Sequence, residues 1–323
     1  GITGTDGWIA PEMIKTEPMH QKPTQAVDVF SLGCVYYYVV TYGQHPFGSP
    51  INRQSNIIAG TPDLSGTGNV CLTDLLEAML CPNPALRPPV RALRKHPYFW
   101  DANNTLNFLV DVSDRVDKNP NDYVSLLLEL GSSKVMDNWL AEMDPVVLED
   151  LKQHRDYRDG RVRDLLRAIR NKRTHYQELR VDVRRVLGSV PTQFLHYWTS
   201  RFPGLLHHTW RVLHCCKTEH VFAKYYHKTY SFHTIGQESL LMMRASSGMF
   251  AEPGGGGGIR CSPNSGDYRS LTSKSFSKYN KKQSYTKAAG DASTVFANGN
   301  MQHMFNARLN NLDNWRERSQ LPT

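Results

Sequence analysis

No stretch of this sequence approaches the roughly 18 consecutive apolar residues that a membrane-spanning helix needs, and no basic-then-apolar signal region opens it. By its own signals the chain is expected to be neither secreted nor membrane-spanning. The six cysteines (Cys34, Cys71, Cys81, Cys215, Cys216 and Cys261) include no C-x-x-C pair and suggest no disulfide framework, so reduced cytosolic thiols are the default. Strand-like alternation is missing from the central part of the chain, which favours helices there.

Acidic side chains are outnumbered. Over 323 residues, 38 Lys and Arg face 30 Asp and Glu, a net charge of +8. Residues 240–323 hold 11 basic and 5 acidic side chains, so +6 lies there and +2 in the first 239 residues. That last stretch carries the Gly254–Gly258 run, many Ser, Asn and Lys, and few apolar clusters. It reads as a disordered basic tail, because it cannot bury enough surface to offset its ordering entropy. Within it, Phe305, Leu309, Leu312 and Trp315 recur at helical spacing in His303–Arg318, read as a transient helix. Elsewhere 40% apolar residues supply enough material for sizeable cores.

The first hundred residues hold an ordered series of short motifs. Gly4-Thr5-Asp6-Gly7-Trp8-Ile9-Ala10-Pro11-Glu12 is followed by Asp28-Val29-Phe30-Ser31-Leu32-Gly33-Cys34 running into an apolar stretch. Then come His45-Pro46-Phe47-Gly48, Asp74-Leu75-Leu76, Arg87-Pro88 and His96-Pro97-Tyr98-Phe99-Trp100. In this order they resemble the C-terminal lobe of a protein kinase from the end of the activation segment onward. The resemblance implies that Glu12 pairs with Arg87 and that Asp28 caps the catalytic-loop backbone. All three roles are structural. The sequence contains no Gly-x-Gly-x-x-Gly loop, no Val-Ala-x-Lys strand, no His-Arg-Asp and no Asp-Phe-Gly. Those parts bind ATP and magnesium, so the chain reads as a fragment that does not phosphorylate by itself.

Beyond Trp100 the helix signals continue. Asp144-Pro145 precedes Val146–His154, Pro191 precedes Thr192–Phe202, and Pro203 precedes Gly204–Cys215. Val162, Leu165, Leu166 and Ile169 follow i, i+3, i+4, i+7 and predict a core-facing helix. Arg167, Asn171 and His175 form one ridge if that helix runs far enough, with Arg163 and Arg170 beside it. From Arg161 to Arg185 nine basic residues stand against Asp164, Glu178 and Asp182, a local +6. Such a face suits a polyanion, although charge alone equally describes a solvated helix. The histidines His207, His208, His214 and His220 match no zinc spacing and read as surface or core packing.

This run, with Asp111-Val112-Ser113-Asp114-Arg115 upstream and Tyr197-Trp198-Thr199-Ser200-Arg201-Phe202-Pro203 downstream, resembles the kinase-extension nuclease family. In that family the nuclease follows a kinase, as in ribonuclease L and the unfolded-protein sensors of the endoplasmic reticulum. His45-Pro46-Phe47-Gly48 and Arg170-Asn171-Lys172 through His175-Tyr176 favour the sensors. The expected architecture is mainly α: a partial protein-kinase lobe over residues 1–100, an all-α nuclease domain over 101–231, and the tail over 232–323.

By resemblance the nuclease acts on RNA without a metal or other cofactor. Its catalytic residues would be Tyr157, Arg170, Asn171 and His175, and its RNA contacts Lys172, Arg167 and Arg163. His175 suits a general acid; Tyr157 would serve as base only if cations such as Arg170 lower its pKa. The products expected are a 2′,3′-cyclic phosphate and a 5′-hydroxyl. ATP or ADP and Mg would belong only to the full-length kinase. The resemblance further implies stem-loop mRNA as substrate and a homodimer or higher oligomer. It places the full-length protein on the cytosolic face of the endoplasmic reticulum membrane. The competing expectations are a serine/threonine kinase fragment and a catalytically silent dimerisation module.

Overall fold

The computed structural model describes residues 4–15 and 23–232. The transient helix read in His303–Arg318 and the disordered tail beyond 232 lie outside these residues. Among the described residues there is no β-strand; α-helices and short 3₁₀ turns make up the regular structure.

The first part holds α1 (Pro11–Lys15), α2 (Gln25–Val40), α3 (Pro50–Ala59), α4 (Val70–Met79) and α5 (Val90–Leu93). The apolar run after Asp28 becomes α2, which buries Phe30, Cys34, Tyr36 and Tyr37. The Asn69 side chain caps α4 by accepting from the Leu72 N–H at 3.0 Å. That helix then buries Leu72, Leu75, Leu76 and Met79. Arg87 is buried, and its guanidinium donates to both oxygens of Glu12 at 2.6 and 2.7 Å. It also donates to the carbonyls of Cys81 and Ala26 and lies over the Phe30 ring. Asp28 sits exposed in the first turn of α2, and the catalytic-loop backbone it was expected to cap is not in this sequence.

The second part holds α6 (Ala102–Lys118), α7 (Tyr123–Leu130), α8 (Pro145–His154), α9 (Val162–Thr174), α10 (Val181–Leu187), α11 (Thr192–Arg201) and α12 (Leu205–Leu213). Asp101 and Asp122 cap α6 and α7, accepting from the N–H groups of Asn104 and Ser125. The first Asp-Pro signal becomes α8 as expected, with Pro145 in its first turn. Helix α6 buries Leu106, Leu109, Val112 and Val116 against α9, whose Val162, Leu165, Leu166 and Ile169 are all fully buried. The periodic pattern therefore gives the central helix pair of this part.

Helix α12 joins the two parts, packing on α6, α7 and α4. Its seat on α7 requires Gly131, where a β-carbon would come within 2.2 Å of the His208 ring. His208 itself is buried and donates from Nε2 to the Leu128 carbonyl at 2.9 Å. At the other end Asp74 of α4 is buried and accepts from His96 Nε2 at 3.1 Å and from Arg211 of α12 at 2.6 Å. His207 of α12 lies 3.4 Å from the same carboxylate. Burial alone would raise the Asp74 pKa; the bonds from His207 and His96 and the charge of Arg211 hold it below the usual carboxylate range.

Candidate active site

Helix α9 carries the candidate residues, and a partner helix fixes its start. Arg161 offers no side-chain cap, and Glu129 at the end of α7 supplies one instead. Its two oxygens accept from the N–H groups of Val162 and Arg163 at 3.0 and 3.1 Å. Helix N-termini carry unpaired donors and partial positive charge, so a carboxylate there is favourable.

The loop leading into α9 is pinned as well. Trp139, fully buried, donates from its indole to the Arg158 carbonyl at 2.9 Å and stands edge-on to Tyr157 at 5.7 Å. Asp164 accepts from the Arg158 N–H at 2.9 Å. These contacts bring Tyr157 to the flank of α9, where the Asn171 amide donates to its hydroxyl at 3.2 Å. Arg170 leans on the Asn171 carbonyl oxygen from the other side at 3.3 Å. Tyr157, Asn171 and Arg170 thus form one hydrogen-bonded row.

His175 is the residue that caps the C-terminus of α9, one turn beyond Asn171. The expected ridge of Arg167, Asn171 and His175 therefore holds only to the helix end. The His175 ring is 59% exposed and donates from Nδ1 to Glu178 at 3.0 Å. With Nδ1 engaged and the ring exposed, Nε2 is the nitrogen left to meet a substrate oxygen.

The basic face is far less free than its charge suggested. Asp117 of α6 binds Arg167 through both oxygens and also lies 2.8 Å from Arg170, while Asp114 lies 3.0 Å from Arg170. Arg167 has a further partner in Asp164 at 2.8 Å. Burial alone would raise the Asp117 pKa, but the bond and charge of Arg167, with the charge of Arg170, hold it low. Arg163 donates to the Pro120 carbonyl at 2.7 Å.

Two expectations need correction. Lys172 is buried and its ammonium is paired with the buried Asp150 of α8, so it supports α9 from behind and is not a surface phosphate contact. The Tyr157 pKa is raised, not lowered: burial dominates, and the Asn171 bond with the charges of Arg155 and Arg167 opposes it only in part. At neutral pH Tyr157 is a protonated phenol.

Sequence reasoning missed Glu129, Asp117, Asp150 and the role of Glu178. Only Glu178 had a local signal, its place three residues after His175. Among the described residues no group of three or more His, Cys, Asp or Glu side chains is placed to hold a metal ion. The motifs that would hold ATP and Mg are not in this sequence, so the residues present do not fit that pair.

Residues 105–226 match the family described as ribonuclease 2-5A, and residues 1–99 match the protein kinase domain. The chain joins protein-kinase sequence to a ribonuclease 2-5A domain. It is 45% identical over 233 residues to the human serine/threonine-protein kinase/endoribonuclease IRE2, an alignment covering 70% of this chain and 25% of that protein. It is 43% identical over 232 residues to the Caenorhabditis elegans serine/threonine-protein kinase/endoribonuclease ire-1, covering 70% and 24%. It is also 36% identical over 233 residues to the Schizosaccharomyces pombe sensor for unfolded proteins in the ER ire1, covering 65% and 22%. The chain thus spans about a quarter of the length of these curated relatives. Tyr157, Arg170, Asn171 and His175 all fall inside the stretch matched to ribonuclease 2-5A.

Proposed function

We propose that this chain is the endoribonuclease module of an unfolded-protein sensor that also carries a serine/threonine kinase. The observation that carries the reading is the row Tyr157–Asn171–Arg170, with His175 one turn beyond it on the same helix. In an RNA-bound state the Arg170 guanidinium and the Asn171 amide would donate to the non-bridging oxygens of the scissile phosphate, where charge builds in the transition state. The 2′-oxygen attacks phosphorus, its proton passes to water, and the bond from phosphorus to the 5′-oxygen breaks. His175, protonated on Nε2, gives that proton to the leaving oxygen. Tyr157, kept as a phenol, donates its hydroxyl hydrogen toward the phosphate while accepting from Asn171. This role replaces the base suggested by the sequence.

The products are a 2′,3′-cyclic phosphate and a 5′-hydroxyl, and the reaction needs no metal or other cofactor. The substrate is stem-loop mRNA, and activity follows self-association of the module into a homodimer or higher oligomer. In the full-length protein the kinase uses ATP and Mg, and both domains face the cytosol at the endoplasmic reticulum. Within this chain, residues 1–100 support the nuclease and do no phosphoryl transfer. The test is cleavage of an RNA and of the same RNA with 2′-deoxy nucleotides throughout. RNA should be cut in the presence of EDTA and leave cyclic-phosphate ends. Equal cutting of the deoxy strand, or arrest by EDTA, overturns the mechanism.

A further inference from the structure

A cleft of about 890 Å³ opens between the end of the kinase-matched segment and the start of α6. Arg91, Arg94, Lys95, Trp100, Asn107 and Lys224 are among the residues lining it. Its acidic member, Asp101, is occupied in capping α6 through the Asn104 N–H at 2.6 Å. Four cations against one carboxylate give the wall a local charge of +3. The ammonium of Lys224 lies 3.0 Å from Asp111, and that of Lys95 donates to the Lys224 carbonyl at 2.6 Å. Arg91, Arg94 and Lys95 are exposed.

The aromatic part of the wall is rigid. The Trp100 indole donates to the Lys95 carbonyl at 3.2 Å, and its ring is held by Phe108 and Tyr225 at 5.1 and 5.2 Å. It is only partly buried. Cations beside a fixed, part-exposed aromatic ring are what a single strand of nucleic acid needs, since phosphates take the charge and bases take the ring.

The cleft is linked to the candidate active site through α6 and one hydrogen bond. Asn107 in its wall accepts from the Arg173 guanidinium at 2.6 Å, and Arg173 stands two residues before His175. Asn107 and Asp114 lie two turns apart on one face of α6, roughly 10 Å along its axis. Asp114 is the residue that contacts Arg170. The negative charge between them, Asp111, is covered by Lys224 and by the Tyr225 hydroxyl at 2.7 Å.

We propose that this cleft is a second RNA site, which holds a single-stranded stretch flanking the scissile phosphate. The inference rests on the reading of the chain as an RNA-cleaving module. It assigns to the kinase-derived residues Arg91 and Arg94 a part in substrate binding that their own domain does not require.

The test compares the full chain with Arg91→Glu/Arg94→Glu, using a stem-loop RNA with and without a single-stranded flank of about ten nucleotides. Binding is measured by anisotropy at two salt concentrations, and cleavage separately. The wild-type chain should bind the flanked RNA about tenfold or more tightly than the bare stem-loop. The double variant should lose that advantage and lower the log–log salt slope for flanked RNA by about 1.4, the weight of two single-strand phosphate contacts. Bare stem-loop binding and cleavage should be unchanged. Equal binding of flanked RNA by the two chains, with the same slope, overturns the proposal. Should the charge-reversed chain lose its circular dichroism signal, Arg91→Gln/Arg94→Gln gives the same reading with smaller change. A flank effect without cleavage by wild type would sink the nuclease reading and keep the cleft. Cleavage without a flank effect would do the reverse.

Discussion

The Asn171 amide nitrogen stands 3.2 Å from the Tyr157 hydroxyl oxygen, bridging the loop that enters α9 and the last turns of that helix. Asn171 has two amide hydrogens and one carbonyl oxygen. One hydrogen is used on Tyr157 and the carbonyl accepts from Arg170, so its other hydrogen remains for a ligand. Asn171→Ala should therefore remove a phosphate donor and release both neighbours. A fall in cleavage of about 10²-fold with unchanged thermal stability is expected, measured by single-turnover kinetics on RNA. A fall below tenfold would show that the row does not face the scissile phosphate.

His175 and Glu178 give a graded pair. His175→Ala should lower cleavage by roughly 10²-fold or more, the usual weight of acid catalysis, with RNA binding retained. Glu178→Gln keeps a hydrogen-bond acceptor beside Nδ1 but drops the charge. It should lower cleavage by less than His175→Ala does, because the ring loses a charged anchor but keeps a hydrogen bond. Wild-type cleavage by Glu178→Gln would mean the 3.0 Å contact plays no part in the reaction.

Lys172 now carries a different prediction from the other cations of α9. Lys172→Ala leaves the Asp150 carboxylate buried without its partner, which should cost about 3–5 kcal/mol of stability. The salt dependence of RNA binding should stay as in the wild-type chain. The double replacement Lys172→Met/Asp150→Leu should recover most of the loss in denaturant melts. A lower salt slope in Lys172→Ala would instead return this residue to the RNA-facing surface.

Stability should fall on mild acidification. Burial, with Arg53 nearby, holds the His45 pKa down to about 4, and burial with Lys217 does the same for His214. Burial also lowers His96 and His208. In the unfolded chain these imidazoles take up protons near pH 6.5, and the native state resists doing so. The unfolded state binds more protons below that pH, so stability drops from about pH 6.5 toward 4. Asp74 and Asp117, held below the ordinary carboxylate pKa, act in the same sense at lower pH: their contribution exists above about pH 4 and is lost beneath it. Thermal melts from pH 8 to 4 check this, and a melting temperature flat from 7 to 4.5 would contradict it.

Much of this organisation is legible in the sequence, where the signals are local. Asp144-Pro145 starts α8, and the spacing of Val162, Leu165, Leu166 and Ile169 gives the buried stripe of α9. Glu12 and Arg87 meet as the kinase motifs imply. The errors come from partners distant in sequence. The +6 balance over Arg161–Arg185 counts only neighbours along the chain, whereas Asp114, Asp117 and Asp150 reach the same helix from α6 and α8. Tyr157 was judged by its nearby cations, but the burial that raises its pKa comes with packing against Trp139, eighteen residues upstream. Neither fact leaves a periodic trace.

Asp74 has one more consequence. A single carboxylate of α4 accepts bonds from its own segment, through His96, and from α12, through Arg211. Cutting the chain between Trp100 and Asp101 and parting the pieces would leave the carboxylate its His96 bond and strip the guanidinium of its buried partner. The segment matched to ribonuclease 2-5A therefore draws part of its support from α4, outside its own bounds.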